Sequence, residues 1–182
     1  MLPDNPLSID FLRDIIIHEL LLGDDRVNIY NQKFNIPPDK HLFVGIEYKF
    51  SKVFASKNEA LTYGTAYLET QGLNTQEHLA VLMFSRSIEA LQRKEEAVMA
   101  LNSVYARQMS DRYAFKIGRI APIQDLSSLE GAAILYRFEI PVVMLCRYYK
   151  TRSIDWYGTF PGRVTIEDGK DETVEFTPVQ PT

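Results

Sequence analysis

The sequence predicts an α+β fold: a mainly antiparallel β-sheet packed by an N-terminal helix and one long helix, with a C-terminal β-hairpin extension. Three observations carry that expectation. Apolar residues recur at helical spacing from Ser8 to Leu22 and again from Ser87 to about Asp111. Apolar and polar residues alternate around Val44 and along Ala133 to Tyr149, and Leu79 to Phe84 is apolar at every position. With 182 residues, 46% hydrophobic and 24% charged, the chain has enough apolar material for a real core, which excludes disorder over its whole length.

The first helix places Ile9, Leu12, Ile16 and Leu20 on one stripe, with Phe11 and Ile15 beside it. Ser8 is the expected N-cap, Asp10 sits in the first turn, and Gly23 is the expected stop. The polar stretch Asp24 to Lys40 holds a short strand at Val27 to Tyr30 and ends on Pro37, Pro38 and Asp39, which force an extended or turned backbone.

A strand follows in which Val44, Ile46, Tyr48 and Phe50 alternate with Gly45, Glu47, Lys49 and Ser51. A break is expected near Ser56, Lys57 and Asn58, then a second strand from Leu61 to Leu68 and a turn at Gln71 to Asn74. The apolar run Leu79 to Phe84 suits a strand covered on both sides. In the long helix, Leu91, Val98, Leu101 and Tyr105 share the core face, and Arg93, Lys94 and Glu96 face solvent.

Ala114 to Ile120 reads as a short strand and Pro122 to Gly131 as a connection. The longest strand, Ala133 to Tyr149, carries Ile134, Tyr136, Phe138, Ile140, Val142 and Met144 on one parity and Leu135, Arg137, Glu139, Val143, Leu145 and Arg147 on the other. Pro141 lacks an N–H, so this strand is expected at a sheet edge or with a bulge. After Pro161 and Gly162, Arg163 to Glu167 and Glu172 to Phe176 flank Asp168, Gly169, Lys170 and Asp171, a hairpin pattern.

Charge narrows the function. Twenty basic against 24 acidic residues leave a net −4, without the basic excess of a dedicated nucleic-acid binder. Arg163 to Thr182 holds five acids and two bases, so most of that net charge lies in the C-terminal segment. One cysteine, Cys146, excludes an intramolecular disulfide and a cysteine-based zinc site within one chain. No segment approaches the roughly 20 apolar residues of a membrane span, and Met1 to Pro6 lack the basic flank of a signal peptide, so a cytosolic protein is expected.

The search for chemistry returns little. There is no Gly-rich phosphate loop and no nucleophile elbow, and His18, His41 and His78 stand without ligand spacing around them. Asp168 to Glu172 lacks the ligand series of a calcium loop, and Glu95 with Glu96 reads as a solvated helix face. The basic aromatic run Arg147, Tyr148, Tyr149, Lys150, Thr151, Arg152 could contact phosphates and stack bases, or sit at a protein interface, and the interface is the expected use. No catalytic residue, cofactor or metal is expected, which moves weight toward a structural or binding role.

The segment Arg26, Val27, Asn28, Ile29, Tyr30, Asn31, Gln32, followed by Pro37, Pro38 and the strand around Phe43, resembles the early part of tail terminator (neck terminator, tail-completion) proteins of tailed bacteriophages. The later order is similar too: the apolar strand Leu79 to Phe84, a long helix, the loop Leu126 to Gly131, and the strand Tyr136 to Ile140. The resemblance covers residues 7–160, and the chain departs from the simplest members in its Trp156 to Phe160 strand and acidic hairpin.

The resemblance implies a non-catalytic virion protein of the neck or tail. Its copies would form a hexameric ring that caps the tail tube, ends polymerisation of tube and sheath, and joins the tail to the head–tail connector. Genomic DNA would pass through the lumen without specific binding. The resemblance divides the chain into a terminator-like domain, residues 1–160, and an acidic β-hairpin arm and tail, residues 161–182. A ring uses two different surfaces per subunit, and Arg147, Tyr148, Tyr149, Trp156, Ile166 and Phe176 are the candidate subunit-interface residues. The hairpin is expected to reach a neighbouring subunit or ring, because Val164, Ile166, Val174 and Phe176 need an apolar cover and a lone hairpin is marginal in water. A collar, gateway or head–tail connector ring of the same neck is the near alternative. A small α+β ligand-binding module or enzyme with an unreadable site is the distant one.

Overall fold

The structure is a computed structural model that describes residues 6–30, 38–63, 66–130, 133–154, 160–165 and 171–176. The chain forms two compact units, Met1–Lys57 with Gln71–Lys150, and Asn58–Thr70 with Thr151–Thr182. The elements described are α1 (Ser8–Leu20), β1 (Val27–Ile29), β2 (Phe43–Tyr63), β3 (Ala66–Ser85), α2 (Glu89–Leu101), α3 (Val104–Tyr113), β4 (Phe115–Ile120), β5 (Gln124–Asp125), β6 (Ser128–Glu130), β7 (Ala133–Ile154), β8 (Phe160–Thr165) and β9 (Asp171–Phe176). This is the expected α+β fold. The main sheet runs β1-β2-β3-β7-β4, with β5 and β6 also on β7. β1 is parallel to β2, whereas β4, β5 and β6 are antiparallel to β7.

In the first unit, the apolar run of β3 organises the packing. Its odd positions, Leu79, Val81 and Met83, join one core with α1, α2 and α3. Its even positions, Ala80, Leu82 and Phe84, form a second, smaller cluster with Phe43 on the opposite face, against which Tyr30 packs. All six are buried, so the strand is covered on both sides. Gly45 makes room for the outer layer: a Cβ there would stand 3.2 Å from the Tyr30 ring. β7 presents Phe138, Ile140, Val142, Met144 and Cys146 to the helices.

The N-terminal helix buries Phe11, Leu12, Ile15 and Ile16 completely. Its cap differs from the expectation. Leu7 is the N-cap and makes no side-chain cap bond, while the Ser8 hydroxyl turns inward. The helix ends on Leu21 in the left-handed region (φ 53°), not at Gly23. α1 reaches β4 through Phe11, whose ring meets Phe115 edge-on at 5.5 Å, and β1 through Arg13, whose Nε donates to the Val27 carbonyl at 2.8 Å. Beside β1, the Arg26 guanidinium donates to both oxygens of Asp39 (2.9 and 2.6 Å). That hydrogen bonding holds the Asp39 carboxyl down at about 2.

The single long helix is two. Asn102 and Ser103 separate α2 from α3. The Ser103 hydroxyl accepts from the Ala106 N–H at 3.0 Å, and Asn102 Nδ2 donates back to the Val98 carbonyl at 2.8 Å. Short polar side chains here offer the backbone an alternative to continued helix, and Ser103 restarts it as an N-cap. The core face shifts accordingly. Leu101 is buried and Val98 and Tyr105 are half-buried, but Leu91 is exposed and small residues, Ala90, Ala97 and Ala100, make the contact. Arg93, expected in solvent, instead donates to the Leu20 carbonyl at 2.8 Å and ties α2 to the end of α1.

Four strand expectations also change. No break interrupts β2 at Ser56 to Asn58, and Gln71 to Asn74 is strand, not turn. The expected strand Leu61 to Leu68 is divided between β2 and β3, with residues 64 and 65 outside the described residues. Gly72 fits within β3 because a Tyr149 ring atom lies 3.4 Å from where its Cβ would be. β7 is internal, between β3 and β4, and not an edge. Pro141 is tolerated there because it falls between the stretches paired with β4 and β5, and its carbonyl accepts from the Ala121 N–H at 2.9 Å. The register irregularity lies opposite, in β4 between Ile117 and Arg119.

In the second unit, β8 and β9 form the expected antiparallel hairpin, in register from Phe160 with Phe176 to Thr165 with Asp171. The same unit takes in Asn58–Thr70. Within it Arg152 Nε donates to Glu69 Oε2 at 2.6 Å, and the Thr70 and Thr151 hydroxyls meet at 3.1 Å.

Leu101→Ala is expected to cost about 2–5 kcal/mol in denaturant unfolding, as for a fully buried leucine. Leu91→Ala, at an exposed site, should stay within about 0.5 kcal/mol. Equal losses at the two positions would contradict this face of α2.

Candidate functional site

Alternation along β7 separates the predicted interface residues. Arg147 and Tyr149 are exposed, with the Arg147 guanidinium 4.8 Å from the centre of the Tyr149 ring. Tyr148, between them, turns inward. Its ring lies 6.1 Å from that of Phe115, and its hydroxyl donates to Glu77 Oε1 at 2.8 Å. Phe176 pairs with Phe160 in the hairpin register. Trp156 and Ile166 lie outside the described residues.

Tyr148 leads to a group that the sequence does not announce. Glu77 is buried on the helix-facing parity of β3, in line with Thr75, Leu79, Val81 and Met83. Its carboxyl accepts from three hydroxyls: Ser8 at the start of α1, Thr75 at 3.2 Å, and Tyr148 on β7. The hydroxyls come from three elements, so the carboxyl clamps α1, β3 and β7 together. The only sequence signal is the parity itself, since an acid among core-facing positions must find donors.

Cys146 borders this cluster. Burial first, and the neighbouring Glu77 second, push its thiol from the ordinary 9.0 up to about 12. Burial and the bond to Glu77 likewise raise Tyr148. Both groups therefore stay neutral at physiological pH, and the thiol is not a nucleophile there. The cluster holds the fold and does not activate an attacking group. Among the described residues, no three His, Cys, Asp or Glu side chains are grouped to hold a metal ion. His18 stacks on Tyr105 at 3.7 Å and His78 on Phe50 at 4.2 Å, so two of the three histidines serve as packing rings.

The surface offers two features. A groove of about 1280 Å³ runs along β4, walled by α2 and α3. Val98, Met99, Leu101, Phe115, Ile117 and Ile120 give it an apolar lining, and Lys116 and Arg119 stand exposed on the strand. β4 ends the sheet on that side. On the other side, among the described residues, β1 covers β2 only from Val44 to Ile46. Beyond it, β2 carries Phe50, Val53 and Phe54 at 54–57% exposure, interleaved with Lys52 and followed by Lys57.

Comparison with family models and with curated proteins returns no match to this chain. No helix among the described residues is long and apolar enough to cross a membrane.

Tyr148→Phe is expected to cost about 1.5–3 kcal/mol, because it removes a hydrogen bond to a carboxylate. A loss under about 0.5 kcal/mol in denaturant unfolding would mean that the clamp is not closed in solution. Cys146 should resist alkylation at pH 8 in the folded chain and react on unfolding. Its folded value is raised, so its contribution to stability is fully present below the ordinary 9.0 and is lost as pH climbs toward about 12. Rapid labelling of the native protein at pH 8 would contradict its placement.

Proposed function

We propose that the chain is a structural protein of a tailed-phage neck or tail, whose copies form a ring that caps the tail tube, ends tail polymerisation and joins the tail to the head connector. The observation that carries this reading is the pair of strand edges, at opposite ends of one sheet, that have no strand partner among the described residues. β4 lies beside an apolar groove, and β2 is uncovered beyond β1 with three large apolar side chains exposed. A head-to-tail ring needs two such unlike surfaces on each subunit. Exposed apolar side chains of this size on an edge strand are what proteins otherwise hide.

The resemblance to tail terminators supplies the assignment to the neck, the hexameric count, and the tube, sheath and connector proteins as partners. On this reading the protein is assembled in the host cytoplasm and ends up in the virion. The net −4 suits a channel that DNA passes through, since a basic lumen would hold the DNA back. A collar, gateway or connector ring would use the same surfaces. A second reading, a small ligand-binding module, draws on the groove, whose apolar lining with a few charged groups is of the kind that holds a ligand.

Native mass spectrometry over rising concentration separates these. A closed ring, six copies on the terminator reading, is the expected species. A strict monomer at every concentration that binds a small molecule in the groove would favour the second reading. Duplex DNA binding at moderate salt is expected to be weak or absent, because Arg152 of the basic cluster already pairs with Glu69 and the chain is acidic overall. Tight, salt-sensitive binding abolished by changing Arg147, Lys150 and Arg152 would contradict this.

A further inference from the structure

The groove along β4 has an edge strand for one wall, and its shape and charge define what can fill it. Among the described residues β4 pairs only with β7, from Phe115 opposite Cys146 to Ile120 opposite Val142. An edge strand presents a row of unpaired N–H and C=O groups that accept another strand. The apolar lining asks that strand for apolar side chains at alternate positions. Lys116 and Arg119, both exposed, repel basic strands and select an acidic one. Arg107 adds to this charge, and Glu95 and Asp111 on the helical wall partly offset it. Glu95 is already engaged by Lys94.

The same chain contains a strand of that description. β9, Asp171–Phe176, has six residues, the same number as β4. Asp171 and Glu175 fall on one parity and meet the charge requirement, and Val174 and Phe176 fall on the other together with Glu172. Among the described residues β9 pairs only with β8, and its second edge has no strand partner there.

We propose that the β4 groove is the docking site for β9 of a second copy of this chain. The hairpin adds its strand to the edge of the neighbour's sheet, with its acids against Lys116 and Arg119. This rests on the ring reading above and assigns one of the ring's two unlike surfaces.

Charge reversal in the full-length chain tests it, with native mass spectrometry and sedimentation as readouts. The unaltered chain is measured first, alone and with tail tubes. If it never self-associates, the ring reading and the docking site fall together. If it forms rings, two variants decide the docking site alone. Lys116→Glu with Arg119→Glu, and separately Asp171→Lys with Glu175→Lys, should each weaken self-association at least tenfold while circular dichroism and thermal unfolding stay near wild type. Mixing the two variants should restore rings, because each reversed strand then meets an oppositely charged partner. Carrying all four changes in one chain should restore them too. Rings unaffected by either pair of changes, or a mixture that stays as weak as its components, would overturn the docking site and leave the ring reading standing. Binding of an added acidic peptide or small molecule, with ring mass unchanged by the variants, would assign the groove to another occupant and overturn it as well.

Discussion

Leu79 to Phe84 must be covered on both faces, and the placing of the other elements around it follows. Each large apolar side chain in that run gains about 1.5–3 kcal/mol by leaving water, and no single layer can cover both parities. β7 takes one flank and β2 the other. The three helices pack on the odd parity, and Tyr30 and Phe43 close over the even one. Arg137 completes the outer layer, with its guanidinium 5.3 Å from the Phe84 ring centre and 5.8 Å from that of Tyr30. Both sheet flanks of β3 are consumed by its own neighbours, so the edges without a strand partner among the described residues lie further out, on β2 and β4. The surfaces available for assembly are thus a consequence of how the core strand is buried.

The Glu77 clamp works from inside the same strand. Burying a carboxyl is costly unless its oxygens are supplied with donors. Here donors arrive from α1, β3 itself and β7, so the three elements satisfy the group only when assembled together. Such a group adds specificity to a core whose apolar contacts are individually undirected.

How much of this could be read from the sequence depended on whether a residue's neighbours were local. The α1 stripe, the double-sided run in β3, the alternation along β7 and the C-terminal hairpin all leave periodic traces, and all are present. The division of α2 from α3 was written in Asn102 and Ser103, but two short polar residues inside a helical pattern read equally well as solvent-facing positions. The continuity of β2 through Ser56, Lys57 and Asn58 was illegible for a different reason. Residues 49–60 are exposed, so no buried face imposes a pattern there, and polar residues that normally mark loops sit in a solvated strand. Tyr148 read as an interface residue because its run is basic and aromatic. Its partner, Glu77, is 71 residues away and reaches it only through the sheet. The groove joins α2, α3 and β4 and has no local signature.

The proposed role turns on two unlike edges of one sheet being used between copies, with the acidic C-terminal segment set against the basic edge of β4. The most direct measurement is to add the purified protein to polymerising tail-tube protein and record tube lengths and ends in negative-stain images. A ring at one end of each tube, with growth halted there and mean length falling as protein is added, is the expected result. Tubes that grow to the same lengths with bare ends, while the added protein stays unbound, would contradict it.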